Sequence, residues 1–579
     1  MKMRYTFSRS LAIERTWPFF LDLTVAMGLL AGFYAVLQIA HYWLSGAVPE
    51  VEISQSPTML PLYAFYSCVR IGVAYLLSLL FAVGYGYIAA YNKRIEALMI
   101  ATLDILQSIP VLSFLPGVML AMMSLIPSRQ LGIEFGAILL IFTGQVWNMA
   151  FSFYTSLKSI PRELNEACTI NRFSRWQRLW QLELPYATIG LVWNSMVSVA
   201  GGWFFLMVCE MFPVGTRNFR LPGLGSYLQT AASTGNSLAM IYGLITMVAI
   251  IVLTDQLIWR PVIDWSDKFK FENVEAADRS KSPVLAALRQ SNVLGAIQQR
   301  TLTPLSEHLY RSIALRHKRR QDTVQSDSRK KGSAVATIVL VILLAGLICF
   351  AAFKAILLLR QVPRSDFATL LEGAGTTFLR VNISLLLAAA WTIPTGVAIG
   401  FNPRLARIAQ PLAQIAASFP ATALFPVILL GLMKLGAGLG IGSIALMMLG
   451  TQWYILFNVI AGAMAIPSEM REVARLFHFP TVQRWTTVIL PGIFPFLITG
   501  LVTASGGAWN ASIIAEYFHL KDKTLHTLGL GAQISAASDS GNFPVLLLAT
   551  IIMALMVVTI NRLVWRPLYK LAETKYRLD

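Results

Sequence analysis

Apolar residues along this chain neither alternate nor scatter. They gather into blocks of about 20 residues, the length a helix needs to cross roughly 30 Å of hydrocarbon. Twelve such blocks stand out, near 17–44, 71–91, 97–125, 132–156, 187–211 and 238–259, then near 333–359, 380–400, 409–433, 436–462, 494–515 and 545–564. A polar stretch, 263–332, separates the two sets of six. The pattern predicts an all-α polytopic membrane protein of about 12 transmembrane helices. The first block follows Lys2, Arg4, Arg9 and Arg15 and is too long for the core of a signal peptide, so it reads as a retained helix.

The two sets of six repeat each other. Trp259-Arg260-Pro261 returns as Trp565-Arg566-Pro567. The same spacing relates Gly144 to Gly450, Trp147 to Trp453, Glu210 to Glu516, and Gly223-Leu224-Gly225 to Gly529-Leu530-Gly531. A slightly longer spacing relates Arg70 to Arg380, Asn92 to Asn402, and Ser108-Ile109-Pro110 to Ser418-Phe419-Pro420, so a short indel lies between about 117 and 143. An even number of helices per copy makes the two copies parallel, not inverted. The chain divides into a first half 1–262, a linker 263–332 and a second half 333–579.

Composition narrows the class. Of 579 residues, 56% are hydrophobic and 13% charged, and mean hydropathy is +0.61. Half the usual charged fraction excludes a soluble enzyme and excludes disorder. The net charge of +18 comes from 47 Lys and Arg against 29 Asp and Glu. With the N-terminus inside, most of those basic residues fall in the cytoplasmic segments and the linker, as the positive-inside rule requires. The excess is therefore a topological signal, with the lipid bilayer as partner and no nucleic acid. Both termini are then cytoplasmic. Cys68, Cys168, Cys209 and Cys349 lie far apart and form no disulfide framework.

The loops after the fourth and tenth helices carry the most information. One reads Ile160-Pro161-Arg162-Glu163-Leu164-Asn165-Glu166-Ala167-Cys168 and runs on to Leu184-Pro185. The other reads Ile466-Pro467-Ser468-Glu469-Met470-Arg471-Glu472-Val473-Ala474 and runs on to Leu490-Pro491. Glu166 stands as far before Pro185 as Glu472 before Pro491. A proline can open a short helix, where its missing N–H costs nothing. Small residues after the Glu let another surface approach, and the Glu offers a charge to Arg or Lys across that contact. Ser174 and Gln177 have capping-box spacing, which marks a second helix returning to the membrane. Each half thus presents a helical knob on its cytoplasmic face, a pair suited to a two-fold partner.

These loops resemble the Glu-Ala-Ala loop of permeases from binding-protein-dependent ABC importers. The resemblance covers roughly 60–262 and 370–570. The Ser-Ile-Pro helix, Glu210 and Glu516, and the following Gly-Leu-Gly are most similar to the nitrate/taurine/sulfonate branch. It implies a type I ABC importer permease fold and an inner-membrane permease that is not itself an enzyme. It further implies two separate ATPase subunits and a periplasmic or lipid-anchored solute-binding protein. The implied ATPase-docking residues are Glu166, Ala167, Cys168 and Arg172, with Glu472, Val473, Ala474 and His478. Arg172 and His478 stand where the family has Gly, so we expect Asn171 to take the left-handed turn in the first copy and Pro480 to restart the helix in the second. The chain has no Gly-x-x-x-x-Gly-Lys-Ser/Thr loop and no soluble segment large enough for an ATPase domain. The other reading is a major-facilitator-type secondary transporter, also built of six plus six helices. Its usual acidic-basic loop after the second helix is replaced here by Asn92-Lys93-Arg94.

Candidates for the translocation pathway are Ser108, Pro110, Ser418, Pro420, Glu210 and Glu516. Pro110 and Pro420 should bend their helices, either lining a polar cavity or as plain kinks. Glu210 and Glu516 are either a gate at the outer mouth or ion-pair partners that fix a helix end. Asp104 and Glu134 are further intramembrane acids. His519, Asp522 and His526 share a loop but match no metal-ligand spacing, so no metal or other cofactor is expected. In the linker, Leu302, Leu305, Leu309 and Ile313 share a helical face ahead of a basic run. That segment is either a solvated tether or an amphipathic helix on the inner leaflet.

Overall fold

The computed structural model describes residues 51–269 and 356–575, apart from a few positions within them and isolated ones between. The predicted helices at 17–44 and 333–359 and the apolar face at 302–313 lie, wholly or nearly so, outside the described residues. In the first half the order is α1 (Leu60–Tyr91), α2 (Glu96–Ser108), α3 (Leu115–Leu125), α4 (Arg129–Lys158), α5 (Arg162–Ile170), α6 (Arg175–Arg178), α7 (Leu184–Cys209), β1 (Met211–Val214), β2 (Arg217–Arg220), α8 (Leu224–Thr234), α9 (Ser237–Thr254) and α10 (Arg260–Ser266). The second half repeats it: α11 (Arg364–Phe401), α12 (Pro403–Ser418), α13 (Ala421–Lys434), α14 (Leu439–Ala465), α15 (Ser468–Leu476), α16 (Thr481–Arg484), α17 (Leu490–Ala515), β3 (Tyr517–Leu520), β4 (Lys523–His526), α18 (Leu530–Asp539), α19 (Phe543–Ile560) and α20 (Arg566–Lys575).

Among the described residues, eight helices are long and apolar enough to cross a membrane. In each half, the helix after the knob and the last long helix carry a single π-turn: Leu179–Glu183 and Asp255–Trp259, then Trp485–Ile489 and Asn561–Trp565. Each ends one residue ahead of a Leu-Pro or Arg-Pro step. A proline cannot donate to the carbonyl four residues back, and its ring crowds it. The residue before it reaches one carbonyl further, as Leu184 does to Leu179 and Arg260 to Asp255. The wider turn keeps the helix unbroken.

Three expectations change. The block 97–125 is not a single helix. It breaks after Ser108, because Pro110 takes an extended conformation (φ −60°, ψ 119°) and starts a short 3-10 turn, Val111–Phe114. In the block 409–433 the described residues form α12, to Ser418, and α13, from Ala421. The second and eighth helices begin earlier than their apolar blocks, at Leu60 and Arg364, and the polar residues they bring in ahead of or at the start of those blocks, Ser67 and Arg70, then Thr377 and Arg380, find buried carboxylate partners. The segments after Glu210 and Glu516 are tight antiparallel hairpins, with Phe212 opposite Phe219 and Phe518 opposite Leu525.

The core of each half is α1 against α4 against α7, and α11 against α14 against α17. The halves interlock. The break around Val111–Phe114 packs on α17, α19 lies on α2, and α9 lies on α12. Thr550 donates a hydrogen bond to the Ser113 carbonyl at 3.2 Å, joining the two halves.

Candidate functional site

The knobs form at one end of each half. In the first, Pro161 caps α5 in an extended conformation and the helix runs only nine residues. Its stop is a Schellman motif: Phe173 N–H reaches the Cys168 carbonyl and Arg172 N–H that of Thr169, both at 3.0 Å. The second knob closes identically, Phe479 to Ala474 at 3.1 Å and His478 to Arg475 at 3.0 Å. This closure needs one left-handed residue. Arg172 (φ 50°) and His478 (φ 48°) take it themselves, the positive-φ non-glycine residues among those described. Asn171 stays at φ −79° and instead donates from its amide to the Ala167 carbonyl at 2.8 Å, which corrects the expected turn. Pro480 does open α16, at φ −59° and ψ 156°. A side chain in the left-handed region costs about 1–2 kcal/mol, so the surrounding hydrogen bonds fix the bend.

The structure divides the candidate docking residues. Glu166, Ala167, Arg172, Glu472, Val473 and His478 are exposed, while Cys168 and Ala474 are buried. Cys168 joins a core with Leu157, Ile160 and Leu182, seating α5 on the bundle. Around the exposed Glu residues stand bare apolar side chains: Ile170 at 80% exposure, and Leu476, Phe477 and Val482 at 76%, 68% and 75%. An unpartnered apolar rim around a charge is the character of a docking face.

The knobs are anchored differently. Arg178 donates to Glu183 at 2.8 Å, to Asn165 of α5 at 2.7 Å and to the Tyr91 hydroxyl at 2.9 Å, with its guanidinium 5.1 Å from the Tyr91 ring. Glu183 is wholly buried. One arginine thus ties α5, α6 and the end of α1 into one body. The matching positions in the second half are Arg484, Ile489, Arg471 and Phe401. There the cation comes from α15: Arg471 lies 5.3 Å from the Phe401 ring. Sequence reasoning missed this clamp, although the Glu183/Ile489 mismatch between copies was visible. Beside it, hydrogen bonds from Lys158 and Tyr154 hold the Glu96 carboxyl below its ordinary range.

At the other end lies a buried polar cluster. Arg70 makes a two-pronged pair with Glu134 at 2.6 and 2.7 Å, and donates to Glu210 at 2.7 Å and the Pro222 carbonyl at 2.8 Å. Glu210 also accepts from Ser67 at 2.6 Å and Gly225 N–H at 2.6 Å. Ser67 in turn accepts from Leu224 N–H at 2.9 Å. A methyl group at Gly223 would collide with the Glu210 carboxylate. In the second half Glu516 accepts from Thr377 at 2.8 and 2.9 Å, Arg380 at 3.0 Å and Gly531 N–H at 2.9 Å. Glu134 has no counterpart, since Gly440 stands there, and Arg380 turns its remaining donors to Thr527 at 2.8 Å and the Leu528 carbonyl at 2.6 Å. Both carboxylates are committed to binding the hairpin and the helix after it. That arrangement fits a helix-end clamp better than an open gate.

Among the other pathway candidates, Ser108 and Ser418 end α2 and α12, and Pro420 lies outside the described residues. Pro110 is buried, and its carbonyl accepts from Ser113 at 2.7 Å, the residue that Thr550 of the other half contacts.

Comparison with known proteins agrees with the repeat. The family model for the inner membrane component of binding-protein-dependent transport systems matches twice, at residues 82–258 and 392–566. The chain is 28% identical over 185 residues to the nitrate import permease protein NrtB of Leptolyngbya laminosa, covering 32% of this chain and 63% of that protein. It is 27% identical over 173 residues to the taurine transport system permease protein TauC of Escherichia coli, 30% and 59% of the two chains. With the bicarbonate transport system permease protein CmpB of Synechococcus elongatus it shares 29% over 137 residues, 24% and 48%. The matched regions thus span about half to two-thirds of each relative.

Proposed function

The chain belongs to the family of inner membrane components of binding-protein-dependent transport systems, and from that premise we propose that it is the permease of an ATP-driven importer of a small oxyanion. Both permease domains reside in one polypeptide. The observation that carries the reading is the pair of Schellman-closed knobs, each with an exposed Glu inside an apolar rim, at the same place in each half. Each knob is rigidly seated: Cys168 and Ala474 are its inward faces, and Glu166, Ala167, Glu472 and Val473 its outward ones.

In this reading two ATPase subunits clasp the knobs from the cytoplasm. Closing of the ATPase dimer on ATP pulls α5 and α15, and with them α7 and α17, whose first turns continue from the knobs. The clamps at Glu210 and Glu516 hold the far ends of those same helices to the hairpins, so force applied at the knob is carried along the helix. The continuous helices that end in α7 and α17, Arg175–Cys209 and Thr481–Ala515, are 35 residues each, about 52 Å at 1.5 Å per residue, so the levers span the bilayer. A separate binding protein delivers solute at the hairpin end, which faces outward across the bacterial inner membrane. The nitrate, taurine and bicarbonate named for the similar proteins support a small oxyanion as the cargo class.

The test is uptake into proteoliposomes that hold the chain with its ATPases, supplied with the binding protein. We expect accumulation that requires ATP hydrolysis. Uptake by the chain alone on an ion gradient, with no nucleotide-binding subunit present, would overturn the reading.

A further inference from the structure

Midway along α4, the side chain of Gln145 is wholly buried, and neither its amide nitrogen nor its amide oxygen has a hydrogen-bond partner. Gln145 lies about 24 Å from the start of α4 and about 20 Å from its end, at 1.5 Å per residue, so it sits near the bilayer centre. An amide without partners is costly there. Its nitrogen is aimed at Gly202 of α7, where any side chain would collide with it. Ser198 lies one turn before Gly202 on the same face of α7; its hydroxyl is buried and also without a partner. Gly201 faces the other half: a methyl group there would touch the Tyr454 hydroxyl of α14 at 3.6 Å. The Gly201-Gly202 step therefore stands between the two: Gly201 turns to the Tyr454 hydroxyl of the other half, and Gly202 to the Gln145 amide of its own.

The fold does not require these groups. At the repeat position of Gln145 stands Thr451, whose hydroxyl is satisfied by its own helix through the Met447 carbonyl at 2.7 Å. Ala504 and Ala508 stand where the first half has Ser198 and Gly202. The second half thus packs the same helices with no orphan polar group at these places. Nor is there charge nearby: α7, α14 and α17 carry no Asp, Glu, Lys or Arg, and α4 carries none between Glu134 and Lys158.

We propose that Gln145, Ser198 and Tyr454, around the Gly201-Gly202 step, form a transient hydrogen-bonding station for a small oxyanion crossing between the halves. This rests on the permease reading above. The amide brings two N–H donors and the two hydroxyls one each. Neutral donors suit transit, because a site on a pathway must bind well enough to admit its ion and weakly enough to release it. A fixed lysine or arginine would hold the anion.

The test uses the whole transporter in proteoliposomes and measures ATP-dependent uptake of nitrate, taurine and bicarbonate, alongside the melting temperature of the purified complex. Wild-type transport of any of the three supports the permease reading, and transport of none overturns that reading together with the station. With the transported anion, Gln145→Leu is expected to cut uptake about ten-fold, the worth of one well-made hydrogen bond to an anion. Tyr454→Phe, which removes one hydroxyl, is expected to cut it several-fold. Gln145→Glu, which sets a carboxylate against the anion, should cut it further than Leu does. Gln145→Leu should melt no lower than wild type, because it buries no unpaired amide. Wild-type uptake by Gln145→Leu would overturn the station and leave the permease reading intact. Lost uptake with a lowered melting temperature would also overturn it, since a packing role gives that result.

Discussion

Arg70 and Arg380 occupy the same repeat position but leave different debts when removed. Arg70 is 2% exposed and pairs with two carboxyl groups that are 1% and 0% exposed. Arg380 is 15% exposed and faces one. Taking one partner from a buried ion pair costs about 3–5 kcal/mol, because a charge is left without compensation. Arg70→Met strands two carboxylates and belongs at or above the top of that range. Arg380→Met strands one, which Thr377 and Gly531 still serve, and belongs at the bottom. For halves of this size 1 kcal/mol moves the melting temperature by about 2–4 °C. The expected fall is therefore at least about 10 °C for Arg70→Met and about half that for Arg380→Met, read as apparent Tm of the detergent-solubilised chain at one scan rate. Adding Glu134→Gln and Glu210→Gln to Arg70→Met should recover part of the loss, since the stranded charges go with them. Equal shifts for the two arginine variants, or no recovery in the triple variant, would refute the assignment of the cluster as the helix-end clamp.

Three further outcomes follow from the geometry. Arg178→Ala should destabilise the first half by about 3–5 kcal/mol by leaving Glu183 buried and unpaired, whereas Arg484→Ala, opposite Ile489, should fall within about 1 kcal/mol on thermal melting. Gly223→Ala must displace the Glu210 carboxylate and should cost about 1–3 kcal/mol as overpacking, measured the same way. In the folded chain a membrane-impermeant maleimide should label a cysteine placed at Ala167 but leave Cys168 unmodified, since the two residues point outward and inward from α5.

Much of this molecule is written plainly in its sequence. The paired loops, the equal Glu-to-Pro spacings and the recurring Gly-Leu-Gly all reappear as matching elements, because each belongs to a contiguous local motif. What was hidden depends on contacts between distant positions. Arg70 reads as a charge at the edge of an apolar block, and only folding shows that Glu134 and Glu210 meet it there, which also explains why α1 starts some ten residues before its apolar block. Pro110 is expected from the sequence to bend its helix; its missing N–H and fixed φ divide the helix outright where the chain meets the other half. The hairpins after Glu210 and Glu516 are four-residue strands, too short for periodicity to register. Arg172 and His478 in the left-handed region contradict residue preference, and the Schellman hydrogen bonds that close each turn override it. Gln145 reads as one polar residue in an apolar helix, and only its lack of a partner marks it out.

The account turns on the knobs as the point where ATPase movement enters the membrane helices. The most direct measurement is ATP-dependent uptake by the double variant Glu166→Lys, Glu472→Lys, beside the amount of chain in the membrane and of ATPase recovered with it. The account predicts normal insertion, with ATPase recovery and uptake both falling at least ten-fold. Wild-type uptake by that variant would contradict it.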